Sequence, residues 1–306
     1  AAESLSYTQS AVSQAIARLE AETGATLVIR DRRGVRPTAA GATLVEHAES
    51  IFAQVQAAED ELAAVLGVRG GRLRVASFPS AGATLMPLAV ATFRERHPDV
   101  ALTLAEGEPE EIAPRLRAGE FDLALLFDFP GVRERTTSGL RSVTLLQDPM
   151  HVVLPAEHAL AGKPELTLED LRQEDWVQTS ASSPCARHVV RSCVAAGFEP
   201  HVTFESDDYE TVQGLVAAGV GVAVIPRLAL ERVHAGIVVR ALAPHSPERK
   251  VVAATSSGPG VAPAAKTMLK VLSDVARQYS RGTLPPAPST SVKLITRGAA
   301  ANSRRG

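Results

Sequence analysis

The segment Tyr7-Thr8-Gln9-Ser10-Ala11-Val12-Ser13-Gln14-Ala15-Ile16-Ala17-Arg18-Leu19-Glu20 constrains this chain more than any other. Val12, Ile16 and Leu19 follow the helical period and give one apolar, inward face. On the other face, Ser10, Ala11 and Ser13 are small enough to let a first helical turn sit deep in a DNA major groove. Gln9 and Gln14 carry amides suited to bidentate pairing with adenine. An arginine-rich hairpin follows, with Arg30, Arg32, Arg33 and Arg36 set against Asp31. Such a tip offers guanidinium groups to backbone phosphates. Thr38-Ala39-Ala40-Gly41 then begins another helix. Turn, helix and basic hairpin together predict a helix-turn-helix unit that meets DNA.

Composition bounds what the rest can be. A chain of 306 residues is too long for one compact core of ordinary size, so two or three domains are expected. The apolar share of 45% is that of a soluble globular protein, and no apolar run reaches the length of a membrane span. The formal charge of −2 argues against non-specific coating of nucleic acid and leaves room for a local basic patch. Cys185 and Cys193 do not make a secreted disulfide scaffold, and no signal peptide opens the chain. These features predict a cytoplasmic protein without membrane contact.

From Gly41 to Leu66 the chain has no proline, and Leu44, Ala48, Ile51, Val55, Ala58, Leu62 and Val65 recur at alternating spacings of four and three. That is a heptad seam, on which two copies can pair along a helix roughly 39 Å long. Gly67-Val68-Arg69-Gly70-Gly71 stops it. Strands and helices then alternate: strands at 73–77, 100–105 and 122–127, helices at 81–96 and 109–118. That order implies a parallel sheet covered by helices. Two apolar runs between 140 and 154, broken at Gln147-Asp148-Pro149, mark a crossing into a second lobe with the same alternation. Its helices are expected at 185–196 and 207–218, and its strands at 176–179, 201–205, 220–225 and 237–241. Residues 250–254 return to the first lobe, and 261–279 close it with an amphipathic helix.

The segment from Ala2 to Gly41 resembles the DNA-binding domain of the LysR-type transcriptional regulators. In that family T-Q-S-A-V-S-x-x-I-x-x-L-E-x-x-x-G-x-x-L leads to an arginine-rich wing and T-x-A-G. Val28 stands where Phe is usual. The family carries one helix and most of a second before this point, so the chain reads as starting inside the second helix. The resemblance, which runs through residue 280, implies a mixed fold: a truncated winged helix-turn-helix at 1–40 and a dimerising linker helix at 41–69. After them come a two-lobed, periplasmic-binding-protein-like effector domain at 70–282 and a disordered tail at 283–306. Lobe I would hold 70–146 and 247–282, lobe II 147–246. The resemblance further implies double-stranded promoter DNA and a small-molecule effector as partners, a homodimer or homotetramer, contact with RNA polymerase, and no cofactor. The DNA contacts are expected from Thr8, Gln9, Ser10, Ser13, Gln14, Arg30, Arg32, Arg33 and Thr38.

In a two-lobed α/β fold the ligand groups come from loops at the carboxyl ends of strands, where helix N-termini point into the cleft. Ser80 and Glu108 occupy two such loops, and Ser183, Pro184, Cys185 and Ser206 lie in loops of the second lobe. The resemblance places effector contacts at these positions. It also implies that carboxylate-binding members carry a small hydroxyl near Glu108, so a carboxylate there points to a cationic or amine-bearing effector. Asp207, followed by Glu210, reads as a helix cap. A thiol-based redox sensor is the alternative, because the peroxide-sensing branch has two cysteines in this region. Eight residues along one helix separate the two cysteines by roughly 12 Å, beyond disulfide reach without unwinding. A two-lobed binding protein with no DNA role would lack the heptad seam and basic hairpin. Enzyme motifs are absent. Gly219-Val220-Gly221 lies between a helix and a strand, the reverse of a dinucleotide fingerprint, and suits a tight turn. The eight histidines show no metal-ligand spacing.

Overall fold

The computed structural model describes residues 8–31, 34–65, 71–130, 136–244, 246–257 and 261–283. Arg32, Arg33 and the tail from 284 lie outside the described residues, as do the side chains of Gln9 and Arg30.

Helix α1 (Gln9–Thr23) is capped by the Thr8 side chain and ends at Gly24, whose φ of 66° is the left-handed turn that suits glycine. Strands β1 (Val28–Asp31) and β2 (Gly34–Pro37) form the antiparallel hairpin, and α2 (Ala39–Val65) runs 27 residues from it.

Lobe I begins with β3 (Arg72–Ser77), then α3 (Pro79–Thr84) and α4 (Met86–Arg96). One helix was expected across 81–96. It divides at Leu85 because Pro87 has no N–H to donate back across the junction. β4 (Ala101–Glu106), α5 (Pro109–Arg117) and β5 (Leu123–Asp128) follow. β4, β3 and β5 are parallel neighbours, as the strand–helix alternation requires. The sheet as a whole is mixed rather than parallel. β6 (Leu140–Pro155) is one continuous 16-residue strand where two runs were expected. It lies antiparallel to β12 (Glu248–Ser256), which is itself antiparallel to β5. Pro149 does not break β6, since it holds a regular position opposite Glu248.

Lobe II hangs on the far half of β6, which pairs with β10 (Ala223–Pro226) and β11 (Ile237–Leu242). The short β7 (Glu165–Leu166) joins β11. β8 (Asp175–Gln178) and β9 (His201–Glu205) form a parallel pair, connected by α6 (Pro184–Ala195) and followed by α7 (Tyr209–Ala217). α8 (Pro263–Ser280) closes lobe I.

Each lobe therefore buries both faces of its strands. In lobe I, Leu73 and Leu125 pack with Phe93, Met268 and Leu272 on one face, while Ala76 and Leu126 pack with Ile112 and Leu116 on the other. In lobe II, Val152 and Trp176 meet Val189 and Cys193, and Val153 and Val177 meet Val212 and Val216. Cys185 and Leu228 join the lobe I cluster, so the cores touch across the cleft. Gly219 turns with φ 77°, and a Cβ on Gly221 would stand 2.4 Å from the Asp175 carbonyl oxygen. Both glycines thus serve the helix-to-strand turn.

Candidate functional site

At the first end, α1 is followed by the β1–β2 hairpin. Ser10 and Gln14 are exposed and Ser13 is half-buried. The Thr8 hydroxyl accepts the Ala11 N–H at 3.2 Å and lies 3.0 Å from Ser10 Oγ. Thr38 is engaged at the start of α2, its hydroxyl donating to the Thr26 carbonyl at 2.7 Å and accepting the Gly41 N–H at 3.0 Å. Glu20, on α1, reaches across to the hairpin and accepts the N–H groups of Leu27 and Val28 at 2.7 and 3.2 Å. That carboxylate fixes the helix against the wing. Arg36 is exposed on β2.

At the second end, the cleft between the lobes is organised around Arg249, only 1% exposed. Its Nε donates to Asp148 Oδ2 at 2.8 Å, and the two residues face each other in the β12–β6 register. Its Nη2 donates to Ser80 Oγ at 2.5 Å, and Nη1 lies 3.7 Å from Cys185 Sγ. The rings of Phe78 and Phe127 stand 4.7 and 4.6 Å from the guanidinium carbon. Asp148 spends its other oxygen on the Leu228 N–H at 3.0 Å. Burial works against the Arg249 charge, and Asp148, with Cys185 and Tyr209 beside it, raises the guanidinium above its usual value. One side chain thus joins Ser80 of lobe I to Cys185 of lobe II.

Ser80 does not cap α3, whose cap position is Phe78; its hydroxyl serves Arg249 instead. Ser183 caps α6 by accepting the Cys185 N–H at 3.2 Å, and Pro184 is the first helical residue. Cys185 is buried, with Arg249 and the Tyr209 side chain beside it. Burial pushes its thiol above the usual value, against the pull of Arg249. Burial likewise pushes Cys193 up to about 12. Both are free thiols with little thiolate at neutral pH.

Glu108 sits within the field of Arg249, Glu110, Asp207 and Glu111. Burial, reinforced by the neighbouring carboxylates and opposed by Arg249, pushes it up to about 7. The α7 cap is Asp208, not Asp207. Asp208 accepts the Glu210 and Thr211 N–H groups, while Asp207 turns back to accept the Ser180 N–H at 2.9 Å. The Ser206 hydroxyl accepts the Asp208 N–H at 3.3 Å and belongs to this turn.

Two cavities open between the lobes. One, of about 600 Å³, is lined by Pro79, Ser80, Glu106, Asp207, Asp208, Tyr209, Glu210, Leu228, Glu231 and Arg232, among others. The other, of about 380 Å³, takes Phe127, Phe129, Pro184, Arg117, Arg187 and Arg191. Beside it the Arg187–Glu110 ion pair, at 2.5 Å, ties α6 to α5 across the cleft. His188 stacks on Phe129 at 3.9 Å and is pushed down to about 4 by burial and Arg191.

Ser80 and Glu108 were singled out by their places in strand-end loops and Cys185 by the family resemblance, and the fold brings all three near Arg249. Arg249, Asp148 and Tyr209 escaped sequence reasoning. The available signal was a charge inside each of two apolar strands, Asp148 before Met150 and Arg249 before Val251. Buried charges are expected to be paired.

The comparisons with known proteins follow the same division. Residues 1–42 match the family model for the bacterial regulatory helix-turn-helix protein, lysR family, and residues 67–277 match the LysR substrate binding domain. The probable HTH-type transcriptional regulator LrrA of Synechococcus elongatus is 32% identical over 90% of this chain and 91% of its own length. A full-length OxyR variant from Pseudomonas aeruginosa superposes with a TM-score of 0.68 at 24% identity, covering 90% of this chain and 88% of that one. The C-terminal domain of a probable LysR family regulator from Rhodococcus sp. RHA1 superposes with a TM-score of 0.58 at 26% identity, covering 66% of this chain and 98% of that one. Among the described residues no helix is long and apolar enough to cross a membrane. With a groove-sized helix and hairpin at one end and a two-lobed effector-binding domain at the other, the chain belongs to the LysR family of DNA-binding transcriptional regulators.

Proposed function

We propose that this regulator works as a homo-oligomer that reads promoter DNA through α1 and the hairpin and responds to a small molecule held at Ser80, Glu108 and Cys185. Gln9, Ser10, Ser13 and Gln14 meet base edges. Arg30, Arg32 and Arg33 meet phosphates or the minor groove, with Thr8 and Thr38 at the helix starts beside the backbone. Residues 41–69 pair two subunits, and 70–282 carry the effector. Ligand-driven reorientation of the subunits changes DNA bending and with it contact to RNA polymerase. Bending costs depend on sequence, so such a change alters affinity without new base contacts.

The observation that carries this reading is the Arg249 bridge from Ser80 to Cys185, which makes the cleft geometry and the relation of the lobes one variable. A redox reading has less support, since burial holds both thiols up. The test is selection of duplex DNA from a random pool by the full chain, followed by salt titration. A recovered motif, with affinity falling steeply as salt rises, is expected. Recovery of no motif overturns the DNA-reading assignment.

A further inference from the structure

The larger interlobe cavity has a pronounced charge imbalance. Glu106, Asp207, Asp208, Glu210 and Glu231 line it, with Arg232 as the one cation among its lining residues. Asp207 and Asp208 are spent on backbone N–H groups. Glu106 and Glu210 accept no hydrogen bond and form no ion pair with their side chains among the described residues. Glu108 stands close enough to Asp207 for the two carboxylates to repel.

The one buried cation of the cleft is not available to balance them. Arg249 has all three guanidinium nitrogens engaged, on Asp148, Ser80 and Cys185, and the Phe78 and Phe127 rings stand against it. An anion entering the cavity would meet several carboxylates with Arg232 alone opposing them, and to reach the buried Arg249 guanidinium it would have to break that set. The uncharged lining is Ser80, Thr84 and Gln213 together with the apolar and aromatic Pro79, Ala83, Leu228, Ala229 and the Tyr209 ring. An aliphatic stem suits those groups, and an ammonium or guanidinium suits an aromatic face backed by carboxylates. The acidic lining does not stand alone, because the cavity lies between the lobes of a domain that matches the LysR substrate binding domain.

We infer that the effector cleft takes a small organic cation, an aliphatic amine or guanidine, with its charged end toward Glu106 and Glu210 and its stem over Tyr209 and Leu228. The inference rests on the effector reading above and adds the charge class of the ligand. Charge discrimination in such a site comes as much from repelling the wrong ion as from attracting the right one.

The experiment is isothermal titration of the full chain at pH 8 and fixed ionic strength with 1,4-diaminobutane and 4-aminobutylguanidine, and with butanedioate as the anion of matched length. Saturable binding of at least one of the two cations, without binding of butanedioate, is expected. Glu106→Gln combined with Glu210→Gln should weaken that binding at least tenfold, while circular dichroism and melting temperature stay unchanged, since neither side chain bonds within the fold. Binding of butanedioate in place of the cations overturns the charge class and leaves the effector cleft standing. Failure of both cations to bind, or binding indifferent to the double substitution, also overturns the inference. The effector reading itself is then judged separately, by whether any metabolite shifts the DNA affinity of the chain.

Discussion

Arg249 and Asp148 form an ion pair with both side chains at or below 1% exposure, and such pairs are most sensitive to the loss of one partner. Arg249→Met should cost about 3–5 kcal/mol in urea unfolding, because Asp148 is left buried and unpaired. Adding Asp148→Asn should recover part of the loss, since the amide oxygen still accepts the Leu228 N–H without carrying a charge. Glu108 poses the opposite problem. Its value of about 7 in the folded chain lies above the ordinary 4.5, so the fold prefers the neutral acid. Its contribution to stability is present below pH 4.5 and is lost as pH rises through 7. Glu108→Gln should therefore raise the unfolding free energy by about 1–3 kcal/mol at pH 8 and change it little at pH 4.5. Equal effects at the two pH values would contradict the burial argument. The positions of Ser80 and Glu108 were legible because strand-end loops are recognisable from pattern, and that of Cys185 only through the family resemblance. The Arg249–Asp148 pair was not, since it joins residues 101 apart through a strand register that no local pattern encodes. Asp207 and Asp208 are adjacent and chemically identical as caps, and only the backbone geometry after β9 decides between them.

At the scale of elements, the hairpin and the start of α2 meet at Gly41. A Cβ there would stand 2.0 Å from the Leu27 carbonyl oxygen, which is backbone and cannot swing aside. Gly41→Ala should lower the melting temperature of the DNA-binding end, by about 2 kcal/mol in stability, and weaken DNA binding with it. A neutral result in both assays would mean that α2 starts elsewhere in solution. Long periodic helices were the most legible elements: α2 was expected from Gly41 to Leu66 and spans Ala39–Val65, and α8 shifts by two residues or fewer. The division of α3 from α4 was missed because Pro87 sits inside a run whose apolar period continues on both sides. The long β6 was missed because Pro149 looks like a terminator, although its place in the ladder tolerates it.

For the whole molecule, the exposed apolar side chains of α2 call for a partner. Ile51, Val55 and Leu62 of the seam are each more than half exposed, as are Val45 and Phe52 beside it. A run of this kind on a 27-residue helix is the surface on which the proposed pairing of subunits would form. Ile51→Glu with Val55→Glu should shift the sedimentation of the full chain to a lighter species at micromolar concentration and weaken DNA binding through lost avidity. Unchanged sedimentation would place self-association elsewhere.

The passage of the chain between its lobes sets how it can move. Two strands make the crossing, and they are bonded to each other from Leu140 through Pro149 on one side and from Glu248 through Ser256 on the other, with a single slip of register at Val251. A pivot built from a ribbon differs from one built from a loose linker, because swinging the halves apart would tear rungs from a ladder. Torsion about the ribbon tears none. Small twists of one lobe against the other are therefore the motion this architecture makes cheap.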